Sequence, residues 1–192
     1  MKRFIYSLTI AVLITSCTNG QQNKPTETKM MDDFELTPEK AHPKAKALLT
    51  EEFYWSPIDE TGPFGSDDGS DSFYQFRQWR VDNKKVSPAT FLKELLDEWG
   101  FPSFDIGKTD VKELLTKVDA GMIIVQDNAI IAIGFGQFVL EGKIDNDIKD
   151  LTKKAIQREM ADELLVHFRS DYRQVRKDQL TRMLVVVDKM NQ

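Results

Sequence analysis

The sequence has very little cysteine and histidine, the residues that carry thiol chemistry and bind zinc. Its 192 residues include one cysteine, Cys17, and two histidines, His42 and His167. The histidines are far apart in the chain, and neither has the H-x-x-x-H or H-E-x-x-H spacing of a zinc site. We therefore predict no metal site and no cofactor. After Cys17 we predict no disulfide and no thiol nucleophile.

Motifs of nucleotide binding and acyl transfer are also absent. No serine lies in a G-x-S-x-G elbow, and Gly134-Phe135-Gly136 lacks the third glycine of a dinucleotide fingerprint. The net charge of −5 argues against a nucleic-acid partner. Charge is uneven, because residues 32–71 hold eleven acidic side chains and three basic ones. We predict no catalytic set, and an acidic half suited to a basic protein partner.

The N-terminus has the pattern of a lipoprotein signal peptide. Lys2 and Arg3 precede the apolar run 4–14, which is too short for a permanent membrane span. The segment Leu13-Ile14-Thr15-Ser16-Cys17 resembles a bacterial lipobox. We expect residues 1–16 to be the signal peptide, Cys17 to be lipidated, 17–32 to form a flexible tether, and 33–192 to form a single domain.

Two or three acyl chains on Cys17 would hold the protein at a membrane, because each buried methylene contributes about 0.8 kcal/mol. The residue after Cys17 is Thr18 and not aspartate. This favours the outer membrane over the inner one. We therefore expect a domain that is anchored to the cell envelope outside the cytoplasm.

Apolar periodicity predicts a mainly α fold, a single compact multi-helix domain. The predicted helices are 43–53, one from Ser66, Asp67 or Asp68 to about 81, 88–99 after Ser87, 111–118, 145–167 capped by Asp145, and a last one from Ser170 or Asp171.

The apolar segment 122–140 allows two interpretations. Asp127 could cap a buried helix over 128–141, or the chain could form a short β-hairpin near 121–135 with its turn at Asp127-Asn128. The length of the run favours the helix, although Gly134 and Gly136 would weaken it by about 1 kcal/mol each.

Residues 53–80 form the candidate site, because large rings, fixed turns and carboxylates are densest there. We call 53–80 the aromatic–aspartate stretch. The candidate binding residues are Trp55, Glu60, Phe64, Asp67, Asp68, Asp71 and Trp79.

The acidic cluster at 67–71 has a simpler interpretation than a binding site. Asp67 and Asp68 would cap and charge a helix N-terminus, with Asp71 completing a capping box with Asp68. A weak calcium site is the alternative, although the EF-hand order is absent. Asp59, Glu60 and Asp67 are candidates for acid–base work in a hydrolase.

Part of this stretch resembles known families. The segment from Phe53-Tyr54-Trp55-Ser56-Pro57 to Asp71, with His42-Pro43 before it, resembles the YfeS-like group of uncharacterised bacterial proteins over about residues 34–145. The piece 65–71 is also similar to a family of unknown function with an N-D-D-A-x-D-[FW] motif. The resemblance implies a small, mostly helical domain with the aspartates at a helix start. Neither family has an established activity that the resemblance could imply for this chain.

We expect a lipid-anchored, non-enzymatic binding or interaction domain. Its recognition surface would be a groove between Trp55, Phe64 and the helix after Asp67. A carboxylate-dependent hydrolase and an immunity-type protein that neutralises a toxin are the alternatives. The basic residues at helical spacing in the last helix are expected to form a solvated face. The alternatives are that they dock on the acidic half or on anionic lipid headgroups beneath the domain. These residues are Arg169, Arg173, Arg176, Lys177 and Arg182.

Overall fold

The computed structural model describes residues 34–192. The predictions for the signal peptide, Cys17 and the tether concern residues outside that range. Within it the chain forms eight α-helices, which are α1 Pro43–Leu48, α2 Asp67–Asp82, α3 Pro88–Trp99, α4 Val111–Leu114, α5 Ala120–Glu141, α6 Asn146–Glu159, α7 Asp162–Leu165 and α8 Ser170–Lys189. A 3-10 turn, Glu52–Tyr54, lies between α1 and α2. No strand forms in residues 34–192, and the predicted mainly α fold is confirmed.

Helix α5 lies at the centre of the fold. It packs against α2 on one side and α6 on the other, and it also contacts α1, α3 and α7. Every residue from Ala129 to Val139 is buried. Its 22 residues and mean hydropathy of 1.6 would be sufficient for a membrane span, but 78% of its most apolar window is buried inside the fold. Because most of this window is buried against other helices, α5 forms the core of the fold.

The helical interpretation of 122–140 is confirmed, and the hairpin alternative is wrong because one helix runs through the segment. The predicted start was also wrong. Asp119 is the N-cap and accepts a hydrogen bond from the Met122 N–H at 3.0 Å. Asp127 lies inside the helix, where it is buried and paired with Arg158. An aspartate is therefore accommodated inside the helix because Arg158 pairs with its carboxylate.

The two glycines of α5 allow close helix packing. A Cβ at Gly134 would lie 2.1 Å from the Thr152 hydroxyl oxygen on α6, and one at Gly136 would lie 2.6 Å from the Phe73 ring on α2. Helix packing therefore offsets the low helix propensity of glycine.

Several helix ends match their sequence signals. Ser66 caps α2, Ser87 caps α3 with Pro88 in its first turn, and Gly100 ends α3 with φ of 62°. Asp110 caps α4.

Other predicted helices were too long. Helix α1 ends at Leu48, because the Leu49 carbonyl turns to accept a hydrogen bond from the indole of Trp55. Helix α4 stops at Leu114. The predicted helix 145–167 breaks at Met160, and Ala161 has extended backbone before α7. The sequence pattern predicted one helix here because Leu164 and Leu165 of α7 are also buried, so the apolar periodicity continues past the break. The N-cap of α8 is Arg169, neither Ser170 nor Asp171.

Candidate functional site

The aromatic side chains of the predicted groove lie in the core. Trp55 is 9% exposed, and its Nε1–H donates to the Leu49 carbonyl at 2.9 Å. Phe64 is 1% exposed, with its ring centroid 4.6 Å from that of Phe73. Trp79 is half-buried and packs on Phe91 of α3, with ring centroids 5.4 Å apart. These rings fix α2 and the turn before it, and the space that the predicted groove would occupy is filled.

The predicted aspartates lie in the first turns of α2. Ser66 takes the cap, accepting the Gly69 N–H at 3.1 Å. The capping box predicted between Asp68 and Asp71 was therefore misplaced. Asp67 and Asp71 are exposed, and Asp68 is half-buried beside the Asn128 side chain, to which it hydrogen bonds. Burial raises the pKa of Asp68, and the Asn128 hydrogen bond partly offsets that rise.

No metal ligand set forms in the part of the chain that the structure describes. Residues 34–192 contain no group of three or more His, Asp or Glu side chains arranged to hold a metal ion.

The loop before α2 is folded tightly around Asp59. The Asp59 carboxylate accepts the Thr61 N–H at 3.0 Å and the Thr61 hydroxyl at 2.5 Å. A Cβ at Gly65 would lie 1.8 Å from the Asp59 carbonyl oxygen, so only glycine allows the loop to close. This closure directs Ile58 and Glu60 towards solvent.

An open cleft lies between this loop and the start of α8. We call it the loop–helix cleft. Its volume is about 890 Å³, and its walls include Ser56, Ile58, Glu60, Phe168, Tyr172 and Val175. Of the predicted binding residues, the cleft contains Glu60 only. Trp55, Phe64, Asp67, Asp68, Asp71 and Trp79 do not line it.

The rim of the cleft is unusually apolar for an exposed surface. Ile58 is 85% exposed, Tyr172 48% and Val175 46%. Clustered exposed apolar side chains mark interaction surfaces more often than scattered ones do. Charges lie beside them, with Glu60 on the loop wall and Arg169 on the helix wall. The Arg169 guanidinium is paired with Asp171 at 2.9 Å. Within residues 34–192, neither of the two carboxylates that line the cleft, Asp59 and Glu60, has a cation within salt-bridge distance, and Glu60 is the more exposed of the two.

A buried arginine supports the floor of the cleft. Arg176 is 1% exposed and forms an ion pair with Glu159 of α6. Its Nη1 donates to the Thr61 carbonyl at 2.7 Å, and its guanidinium lies 5.6 Å from the Phe168 ring centroid. Since Thr61 and Phe168 both line the cleft, Arg176 holds its two walls together.

The expectation that the basic residues of the last helix form a solvated face was wrong for Arg176. A signal was present in the sequence, because Arg176 lies at helical spacing from the buried residues Leu180, Met183 and Val187. The alternative, docking on the acidic half, holds for Arg182. This side chain pairs with Glu51.

A second buried ion pair lies deeper in the fold. Arg158 and Asp127 are both fully buried, and Arg158 also donates to the carbonyls of Ile106 at 2.8 Å and Lys108 at 2.6 Å. Burial raises the pKa of Asp127 to about 7, and the neighbouring Arg158 opposes that rise. Arg158 therefore ties the loop before α4 to the central helix.

Comparison with known proteins shows a similarity to a curated bacterial protein. No protein-family model matches the chain, and no solved structure matches it. Over 123 residues it is 31% identical to the uncharacterised protein YfeS of Escherichia coli (strain K12), a region that makes up 62% of this chain. The chain spans half the length of that curated relative. This similarity confirms the predicted resemblance to the YfeS-like group.

Proposed function

We propose that this protein is a lipid-anchored, non-enzymatic binding protein of the bacterial cell envelope, and that it holds a partner protein in the loop–helix cleft. The observation that carries the proposal is the cluster of exposed apolar side chains on the rim, formed by Ile58, Tyr172 and Val175. Keeping these side chains in water is unfavourable by about 25 cal/mol per Å² of apolar surface, which a partner would recover.

The chemistry of the rim defines the partner. Glu60 lies beside the apolar cluster and pairs with no cation among residues 34–192, whereas Arg169 pairs with Asp171. A complementary segment would present an apolar or aromatic side chain next to a lysine or arginine. Of the residues predicted from the sequence, the proposed binding surface keeps Glu60. The cleft takes the place of the predicted groove at Trp55 and Phe64, because both rings are buried in the core.

The cleft suits binding because its frame is fixed. Arg176 joins the Thr61 carbonyl on one wall to the Phe168 ring on the other. A surface whose shape is set before binding loses less conformational entropy when the partner arrives.

The anchor is supported by the signal-peptide pattern and by Cys17. In cells fed with labelled palmitate, we expect the label on the wild type and none on Cys17→Ser. We expect the variant to leave the membrane fraction. Labelling that survives Cys17→Ser would overturn the anchor without affecting the cleft.

The binding surface is tested by affinity capture from envelope extracts, followed by titration of each purified candidate. We expect Ile58→Asp to weaken binding at least tenfold, the effect of a rim contact worth about 1.4 kcal/mol. Val86→Asp is the matched control, because Val86 is also exposed and does not line the cleft. Equal binding by both variants would reject the cleft.

The two alternatives have less support. A hydrolase built on Asp59 is weakened because that carboxylate already accepts two hydrogen bonds from Thr61. An immunity-type role is a special case of the same proposal, in which the partner is a basic toxin that meets Glu60.

A further inference from the structure

The side of α8 that faces away from the core carries a row of exposed side chains. The buried side of this helix holds Leu180, Met183 and Val187. On the opposite side, exposed residues recur at intervals of three and four positions, the spacing that places side chains on one helix face. We call this row the outer face of α8. It consists of Asp171, Val175, Asp178, Arg182, Val185 and Lys189.

The apolar members of the outer face are two valines. Val175 is 46% exposed and Val185 is 50% exposed. Each lies at the edge of a depression, because Val175 lines the loop–helix cleft and Val185 lines a recess of about 300 Å³ between α1, the 3-10 turn and α8. Contact with another apolar side chain would remove both valines from water, which is favourable.

The charged members of the outer face are sorted by sign along the helix. Asp171 and Asp178 lie in the first half of α8, and Arg182 and Lys189 lie in the second half. Among residues 34–192, Asp178 and Lys189 have no salt-bridge partner. Asp171 and Arg182 each have one partner in the chain, yet more than half of each side chain is exposed. All these charges therefore remain accessible to a partner.

The positions of the valines match a second copy of the same helix that runs in the opposite direction. A twofold axis at the level of Leu180 relates the two copies of an antiparallel pair, and each position then meets its symmetric counterpart. Val175 of one copy meets Val185 of the other, five positions on either side of the axis. Both valines of each copy are then in contact with a valine of the second copy.

The charges match in the same arrangement. Asp178 of one copy meets Arg182 of the other, and Asp171 meets Lys189, so each acid lies opposite a base. A parallel pair in register would instead place each charge against an identical one, which is unfavourable. The outer face of α8 is therefore complementary to itself in the antiparallel direction only.

We propose that the outer face of α8 is a self-association surface, through which two copies of this protein form an antiparallel dimer with twofold symmetry. The valine contacts bury apolar surface, and the charge pairs between the copies set their direction and register. One helix from each copy makes a small contact, so we expect a weak dimer, in the class of interfaces below about 1,200 Å². This proposal goes beyond the loop–helix cleft, since Val175 is the one residue of the outer face that lines it.

The charge pairing is tested by sedimentation velocity on the full chain carrying Cys17→Ser, which removes the site of lipidation. Asp178→Arg would set two cations against each other, and Arg182→Asp would set two carboxylates against each other. We expect each variant to weaken self-association at least tenfold. A one-to-one mixture of the two variants restores opposite charges and should dimerise as the parent chain does. Lys85→Asp is the control, because Lys85 is exposed and lies outside α8.

The direction of the pair is tested by disulfide formation in the same Cys17→Ser chain, which has no other cysteine. Val175→Cys alone and Val185→Cys alone should stay uncross-linked, because identical positions lie about 15 Å apart along an antiparallel pair. Their mixture should give a cross-linked dimer. A mixture of Val175→Cys with Val86→Cys, another exposed valine, should not.

Three results would overturn the proposal. These are a parent chain that stays monomeric at about 1 mM, a mixture of charge-reversed variants no more dimeric than its components, and cross-linking of Val175→Cys with itself. Ile58→Asp should dimerise as the parent chain does, because Ile58 lies in the cleft and outside the outer face. Failure of the dimer and failure of partner binding at the cleft are therefore distinguishable.

Discussion

At the scale of single residues, Trp55 and Glu60 belong to the same stretch of chain but have opposite environments. Trp55 is buried and donates its indole hydrogen bond to Leu49, whereas Glu60 lies exposed on the cleft rim. We expect Trp55→Ala to lower the free energy of unfolding by about 3–5 kcal/mol, as is typical of large core truncations. Glu60→Ala should change it by less than about 0.5 kcal/mol.

Urea unfolding of both variants measures this difference, and partner titration gives the complementary result. Glu60→Ala should weaken the partner while the fold stays intact. A Trp55→Ala variant as stable as the wild type would show that the ring does not support the core.

The protonation of Asp127 provides a pH test. Burial raises the pKa of this carboxyl from 3.8 to about 7. Between these values the folded protein keeps a proton that the unfolded chain has released, so the Asp127 contribution to stability falls as pH rises. It is fully present below the unfolded pKa and is lost as pH rises through the folded pKa.

We therefore expect the wild type to lose stability relative to Asp127→Asn as pH rises from about 4 to about 7, because asparagine does not titrate in that window. Denaturant unfolding of both proteins at several pH values measures the difference. A wild type that gains stability relative to the variant over this range would show that Arg158 outweighs burial and keeps the carboxylate ionised.

At the scale of helices, Gly134 stabilises the fold although glycine has a low helix propensity, because it allows α5 to lie close to α6. Alanine is the better helix former by about 1 kcal/mol. However, its Cβ would lie 2.1 Å from the Thr152 hydroxyl oxygen and 3.1 Å from the Thr152 Cβ. We expect Gly134→Ala to destabilise the fold by about 1–3 kcal/mol, the usual cost of overpacking.

Two controls isolate this contact in thermal unfolding. Adding Thr152→Ala to Gly134→Ala should restore part of the loss, because it removes the hydroxyl and methyl groups that clash. Gly121→Ala, at the exposed start of the same helix, should have little effect, since only the Asp119 carboxylate lies near its Cβ. If Gly134→Ala stabilises the protein, the two helices are not packed as closely as described.

The helices that could be predicted from sequence are those with strong local signals. Ser87-Pro88 and Gly100 bracket α3, and the apolar run of α5 is too long for a strand. The start of α5 at Ala120 could not be predicted, because Asp127 looks like a cap until Arg158 is placed against it. The end of α1 lies at the Leu49 carbonyl, which accepts the Trp55 indole hydrogen bond, and α6 ends before the extended backbone of Ala161. No Gly or Pro marks either end in the sequence.

At the scale of the whole molecule, the candidate site could be predicted only in part. The sequence shows that aromatic and acidic residues concentrate in 53–80, but it does not show which of them face inwards. Trp55 and Phe64 pack inside, while Glu60 faces the cleft. The opposite wall comes from Tyr172 and Val175, which are distant in sequence and have no local signal that connects them with Ile58.

The claim that the loop–helix cleft holds a partner is tested most directly by site-specific photo-cross-linking in living cells. A photoreactive amino acid is placed at Ile58, and in a separate strain at the exposed control Val86. We predict a cross-linked product from position 58 that Val175→Asp abolishes, with the attachment on a partner segment that has an apolar residue beside a lysine or arginine. No product at position 58, or the same product from position 86, would contradict the account.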